Sequence, residues 1–215
     1  TKAKTLYKFL KGSYAIESSM GHVRDLPKGK LGVNVDDDFE PQYVIPKDKR
    51  KVVEHLKEIA KNAKNIILAT DPDREGEAIS HHLQVLLKQE AKKAKFQRIV
   101  FHEITEGAIK EAILNPRDID DNLVSAQTAR RVLDRIVGYK LSPLLWEKIK
   151  RNLSAGRVKS VALRIIVERE KEIEKFKKED YCRVFALLAK KGDRPHEFEL
   201  VRINEEKIEN TEKIK

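Results

Sequence analysis

The stretch that most constrains this chain is Asn65-Ile-Ile-Leu-Ala-Thr70, an apolar run rich in β-branched side chains that passes almost directly into a helical pattern, Glu75 to Lys88. A short apolar run bounded by charges reads as a strand buried on both faces. Such strands belong to parallel sheets whose crossovers are helices. The pattern recurs: Arg98-Ile-Val-Phe101 precedes a helical segment, Thr105 to Leu114, which Thr105 opens as an N-cap. Before these, Asp48 to Lys61 carries Val52, Val53, Leu56, Ile59 and Ala60 at helical spacing, and Thr1 to Leu10 does the same with Leu6, Phe9 and Leu10. Tyr14-Ala15-Ile16 is a further short strand candidate. Strands and helices alternating with short links predict an α/β domain with a Rossmann-like parallel sheet over residues 1–115.

Beyond Asn115-Pro116 the character changes. Residues 116–178 predict an all-α domain, with helices over Leu123 to Tyr139 and Val158 to Lys175. Residues 179–215 predict the beginning of a β-rich domain. Its strands are Cys182 to Leu188 and Glu197 to Ile203, around the turn Lys191-Gly-Asp-Arg-Pro195.

Where the strand ending at Thr70 meets its helix, the chain reads Asp71-Pro-Asp73-Arg-Glu75-Gly-Glu77. Open α/β sheets bind ligands at the carboxyl ends of their strands. Asp71, Asp73 and Glu75 are therefore expected to converge on one divalent cation, and Mg²⁺ favours such hard oxygen ligands. Acids at a helix N-terminus also suit plain capping and the helix dipole. Capping, however, needs fewer carboxylates than are crowded here, and their repulsion is one a cation would relieve.

That acidic spot reverses the charge of the chain around it. Lys and Arg number 45 against 35 Asp and Glu, a formal net charge of +10, which suits a polyanionic partner. No apolar run reaches the roughly 20 residues needed to span a bilayer, so nucleic acid is favoured over membrane. Hydrophobic residues at 40% permit a real core, and the single Cys182 excludes an internal disulfide and fits a reducing cytoplasm. On the helix ending near Tyr139, Arg131 and Arg135 share a face, while Asp134 lies four residues from Arg130 and can pair with it. One arginine is then held and the others are left for phosphates, although a solvated face with one ion pair has the same spacing. Ser154-Ala-Gly-Arg157-Val-Lys159 leaves little side chain before a helix starts, so a phosphate backbone can approach the helix N-terminus. Capping by Ser154 alone is the plainer alternative. His22 sits in a loop containing Gly and Pro, which on its own signals little.

Taken in order, SMGHVRDLP, ATDPDREGEAI, FHEIT, AQTARRVLDRIVGYKLSPLLW and LSAGRVKSVALR resemble bacterial type IA DNA topoisomerases, over about residues 1–178. The resemblance implies a TOPRIM domain over residues 1–115, a helical DNA-binding domain over 116–178, and the start of a β-rich arch from 179. It implies an enzyme that relaxes negatively supercoiled DNA with Mg²⁺ and without ATP. Its route is transient single-strand cleavage through a 5′-phosphotyrosine, followed by strand passage. By position, Asp71, Asp73 and Glu75 match the metal-binding triad. Lys2 and Arg74 match catalytic positions. His22, Arg130, Arg131, Asp134, Arg135, Lys140, Ser154, Ala155, Gly156, Arg157, Val158 and Lys159 match residues along the bound single strand. Lys159 stands where most of the family has glutamine.

The resemblance further implies a catalytic glutamate just before Thr1 and a nucleophilic tyrosine well downstream. None of Tyr7, Tyr14, Tyr43, Tyr139 or Tyr181 stands in the family's active-site context. These 215 residues alone are therefore expected to be inactive in cleavage. A monomer in the cytoplasm, associated with the nucleoid, is the expected setting. A TOPRIM-type metal-dependent nuclease or primase-like enzyme is the alternative.

Overall fold

Residues 2–10, 12–178, 183–204 and 206–207 are described in the computed structural model. The chain divides into two compact units, Thr1–Ser160 and Val161–Lys215. In the first unit the elements run α1 (Lys2–Leu10), β1 (Val33–Asn34), β2 (Glu40–Pro41), a 3-10 turn (Lys47–Lys49), α2 (Arg50–Ala60), β3 (Asn65–Leu68), α3 (Arg74–Lys88), β4 (Lys95–Arg98), α4 (Glu106–Leu114) and α5 (Asp121–Lys148). α6 (Arg157–Lys175) begins in this unit and continues into the second. The second also holds β5 (Phe185–Leu188), β6 (His196–Glu199), β7 (Arg202–Ile203) and β8 (Glu206–Lys207).

β3 and β4 pair in parallel, with Asn65 opposite Lys95 and Leu68 opposite Arg98. Successive side chains of a strand point to opposite faces, and both faces here are covered. On one side Ile67 and Ile99 pack with Leu6, Phe9, Phe101, Ile109 and Ala112, so α1 and α4 lie there. On the other, Ile66 and Phe96 pack with Leu56, Ala60 and Leu87, which brings α2 and α3. This helix–sheet–helix layering is the predicted α/β architecture. The β-branched run Ile99-Val-Phe101 is not itself the strand. The ladder against β3 ends at Arg98, and Ile99 adds one last bond from its N–H to the Leu68 carbonyl at 3.0 Å. Tyr14-Ala15-Ile16 is likewise not a strand; Ile16 contributes only to the core beside α1.

α5 is longer than predicted, continuing through Pro143 to Lys148. It is opened by Asp120, whose carboxylate accepts from the N–H groups of Asn122 and Leu123 at 2.9 and 3.2 Å. Its buried Val132 packs with Leu26 and with Val33 of β1, both between α1 and α2 in sequence, so α5 belongs to the same compact unit as the sheet. The helical stretch expected over 116–178 is thus divided between the two units. In the second unit β5 and β6 form an antiparallel hairpin, with Phe185 opposite Glu199, around a turn in which Gly192 takes φ +95°. The predicted strand start at Cys182, with Tyr181, lies outside the described residues.

Candidate nucleic-acid interface

The acidic turn is shaped by capping before anything else. Asp73 is the N-cap of α3, its Oδ1 accepting from the Gly76 N–H at 2.7 Å. Glu75, one residue inside the helix, turns back toward the loop. Its Oε2 stands 3.2 Å from Nε2 of His22 and accepts from Gln127 Nε2 of α5 at 3.1 Å. Asp71 and Arg74 are exposed. Glu77 points the other way, into the protein, and is fully buried.

Around Glu75 lies a cleft of about 300 Å³ lined by His22, Arg24, Asp25, Tyr43, Glu75, His82, Gln127, Arg130, Arg131 and Asp134. The His22–Asp25 loop is pinned by a bridge to the chain near α2, with Asp25 N–H donating to the Val44 carbonyl at 2.9 Å and the reverse bond at 2.8 Å. Asp25 then takes a two-pronged bond from Arg131, with contacts of 3.0, 2.6 and 2.7 Å. Burial pushes its carboxyl up. The hydrogen bonds from Arg131 and from the Leu26 N–H, with the charges of Arg131 and Arg135, outweigh that and hold it below the usual range. His82 lines the cleft, its ring centroid 4.5 Å from that of Tyr43. Burial lowers its pKa to about 3, helped by the positive Arg24 and the neighbouring His81 and His22, so it is neutral at physiological pH. Among the described residues, the Tyr43 hydroxyl, His82 Nδ1 and Gln127 Oε1 are buried without a protein partner.

The arginine helix does not divide its roles as its spacing predicted. Asp134 stands 3.9 Å from Arg130, whereas Arg157 grips it with bonds of 2.5 and 3.0 Å. The bond to Arg157 holds the Asp134 carboxyl below its usual range. Arg131 is held by Asp25. Arg135 donates to the carbonyls of Leu26, Pro27 and Lys30 and lies over the Tyr139 ring at 5.2 Å. The Arg130–Asp134 pair that the spacing allows is present at 3.9 Å; Arg131 and Arg135 are not left free, because their carboxylate and carbonyl partners lie outside the helix, where spacing along it gives no sign of them. Ser154 to Gly156 form the link into α6, whose first two residues are Arg157 and Val158. There Ala155 N–H donates to Ser142 Oγ at 3.1 Å, and Lys159 Nζ donates to Ser154 Oγ. Lys140 is exposed on α5, and Lys2 is the first residue of α1.

Comparison with known proteins decides the family. A Toprim domain model matches residues 1–104 and a DNA topoisomerase model residues 118–215. A solved structure of full-length topoisomerase I from Thermotoga maritima is 45% identical and superposes with a TM-score of 0.73 over 99% of this chain. The chain belongs to the type IA DNA topoisomerases. It spans 35% of the length of that relative.

In this topoisomerase chain the structure brings Glu75, His22, Arg130, Arg131 and Asp134 into one cleft. The convergence of Asp71, Asp73 and Glu75 expected from the sequence does not occur. Asp73 caps α3 and Glu75 is held by His22 and Gln127. Among the described residues no three His, Cys, Asp or Glu side chains stand together so as to hold a metal. The donor chemistry of two exposed aspartates suits a hard cation; a complete site is not formed by these residues. Sequence reasoning missed Asp25, Tyr43, His82 and Gln127. Asp25 lies in the recognised SMGHVRDLP motif, and Gln127 lies in AQTARR, so both carried a signal. Tyr43 and His82 carried none, since only the fold brings them to the cleft.

Proposed function

We propose that the protein containing this chain relaxes negatively supercoiled DNA by transient single-strand cleavage through a 5′-phosphotyrosine and strand passage, without ATP. The observation that carries the reading is the Gln127–Glu75–His22 contact. It joins the acidic turn to the arginine-bearing α5 at one cleft that both line. A single strand would follow the basic wall, with Arg130, Lys140 and Lys159 meeting phosphates and the loop His22 beside the sugar–phosphate chain. Arg131 and Arg135 act from fixed positions, since their guanidinium groups are already oriented by Asp25 and by loop carbonyls. Asp134 aims Arg157 toward the strand. Lys2 and Arg74 are assigned to the reacting phosphate.

Toprim domains generally bind divalent metal, and Mg²⁺ is the cofactor we assign. A cation that keeps several waters needs only one or two protein carboxylates, and Asp71 and Asp73 stand exposed in the turn. The setting that accompanies this reading is a monomer in the cytoplasm, at the nucleoid. Among the described residues no helix is long and apolar enough to cross a membrane.

The test is plasmid relaxation. The full-length parent is expected to relax negatively supercoiled plasmid with Mg²⁺ and no ATP, to stop on chelation, and to leave a protein–DNA adduct when quenched with detergent. The 215-residue chain is expected to do none of these. Metal-dependent nicking by the chain without an adduct would instead establish the nuclease alternative.

A further inference from the structure

Glu77 is the fourth acid of the turn motif, and its surroundings differ from those of the other three. Its carboxylate is fully buried. Oε2 accepts from Arg98 Nε at 3.1 Å and from Arg117 Nη2 at 2.9 Å. Oε1 accepts from Arg117 Nη1 and from the Asp120 N–H, both at 2.8 Å. Burial raises the pKa of this carboxyl, and the bonds from Arg117 and Asp120 with the Arg98 charge overcome that, so it is held below its usual value and ionised.

Arg98 is 1% exposed. Beyond Glu77, it donates to the carbonyls of Leu68 at 3.2 Å, Thr70 at 3.1 Å, Asp71 at 2.7 Å and Ile99 at 2.6 Å. Three of these acceptors form the backbone that leaves β3 and becomes the acidic turn. The other side of Glu77 holds Asp120, the residue that caps α5. A single buried ion cluster thus fixes the start of the acidic turn and the start of the arginine helix to each other. A buried ion pair is a poor way to gain stability, because apolar side chains of similar size serve as well. What the guanidinium fork does, and an apolar residue cannot, is hold several carbonyls at set positions.

We propose that Arg98 and Glu77 are positioning residues for the reaction. They set the backbone of the Thr70–Gly76 turn and tie it to the N-terminus of α5. The inference rests on the reading of that turn as part of the cleavage site.

The experiment compares the full-length parent with its Arg98→Lys variant. Lysine keeps the positive charge beside Glu77 but lacks the planar fork that collects carbonyls. Two measurements are made: backbone amide exchange across the protein, and the kcat and KM of relaxation. The expected result is faster exchange confined to the 70–76 turn and the first turn of α5. It is accompanied by a fall in kcat of about 100-fold, the scale for a reacting group displaced by about 1 Å, with KM unchanged. A purely structural role would instead speed exchange throughout the first unit and leave the activity of the folded fraction intact. That pattern, unchanged exchange in the turn, or a change in KM alone would overturn the proposal. If Arg98→Lys does not fold, Glu77→Gln is judged by the same criteria. A wild-type parent that fails to relax DNA would remove the functional reading, while exchange in the turn would still decide whether the cluster positions it.

Discussion

Placing a methyl group on Gly76 sets two effects of known sign against each other. Gly76 lies in the first turn of α3, where alanine in place of glycine gains about 1 kcal/mol from helix propensity. A Cβ built on it would lie 2.1 Å from the carbonyl oxygen of Asp71 and 2.8 and 2.9 Å from that residue's N and C. Contacts between carbon and a carbonyl oxygen settle near 3.3 Å or beyond, so the Asp71 carbonyl must retreat by about 1 Å. That carbonyl accepts from Arg98 Nη2 at 2.7 Å, and the retreat breaks the bond. Losing a hydrogen bond to a buried charge costs about 1.5–3 kcal/mol, and overpacking against backbone adds about 1–3 kcal/mol. The clash outweighs the propensity gain, for a net loss of about 1.5–5 kcal/mol. Thermal unfolding of the chain should show Gly76→Ala melting lower, by about 2–4 °C for each kcal/mol lost. Relaxation by the parent carrying the same change should slow, because the acidic turn moves with the carbonyl. A melting temperature equal to or above wild type would refute the reasoning, since it would mean that the turn yields without cost.

Acid sensitivity follows from His82. Its folded pKa of about 3 lies below the unfolded value, so the unfolded chain takes up the proton first. The stability it contributes is complete above about pH 6.5 and is lost toward pH 3, by at most about 1.4 kcal/mol per pH unit. Denaturant midpoints between pH 4 and 6 should therefore depend less on pH in His82→Leu than in wild type. Removing the α3 cap with Asp73→Ala should cost about 1 kcal/mol in the same titration at neutral pH, and no loss would show that the bond to the Gly76 N–H carries no weight. Affinity of the parent for single-stranded DNA should fall steeply with salt. Arg130→Ala should lower the slope of log affinity against log salt by about 0.7, and an unchanged slope would remove Arg130 from the footprint.

Periodicity and motif spacing reveal the parts of this chain governed by local rules. The strand at Asn65, the Thr105 cap and the two long helices follow from neighbouring residues, and the structure has them. The strand at Arg98 was misplaced by three residues because the apolar run Ile99–Phe101 looks more strand-like than Lys95-Phe-Gln-Arg98. Pairing with β3, a non-local fact, made the choice. The same limit applies in the cleft. His22 and Glu75 are 53 positions apart and Arg131 and Asp25 are 106, so no helical or strand spacing connects them. Glu77 is the sharpest case. In the sequence it looks like one more member of an acidic cluster, and only the α/β layering turns it inward.

The long helix α6 has a practical consequence. Val161, Leu163, Ile165 and Ile166 are each more than half exposed, as are Leu187 and Leu188 on hairpin strand β5. Helical geometry spreads the first four around the cylinder instead of along one seam, so no single small ligand can shield them. A preparation of this chain by itself is expected to self-associate as its concentration rises, and to elute from a sizing column later on dilution or in mild detergent. Trimming the chain before α6 should remove that stickiness.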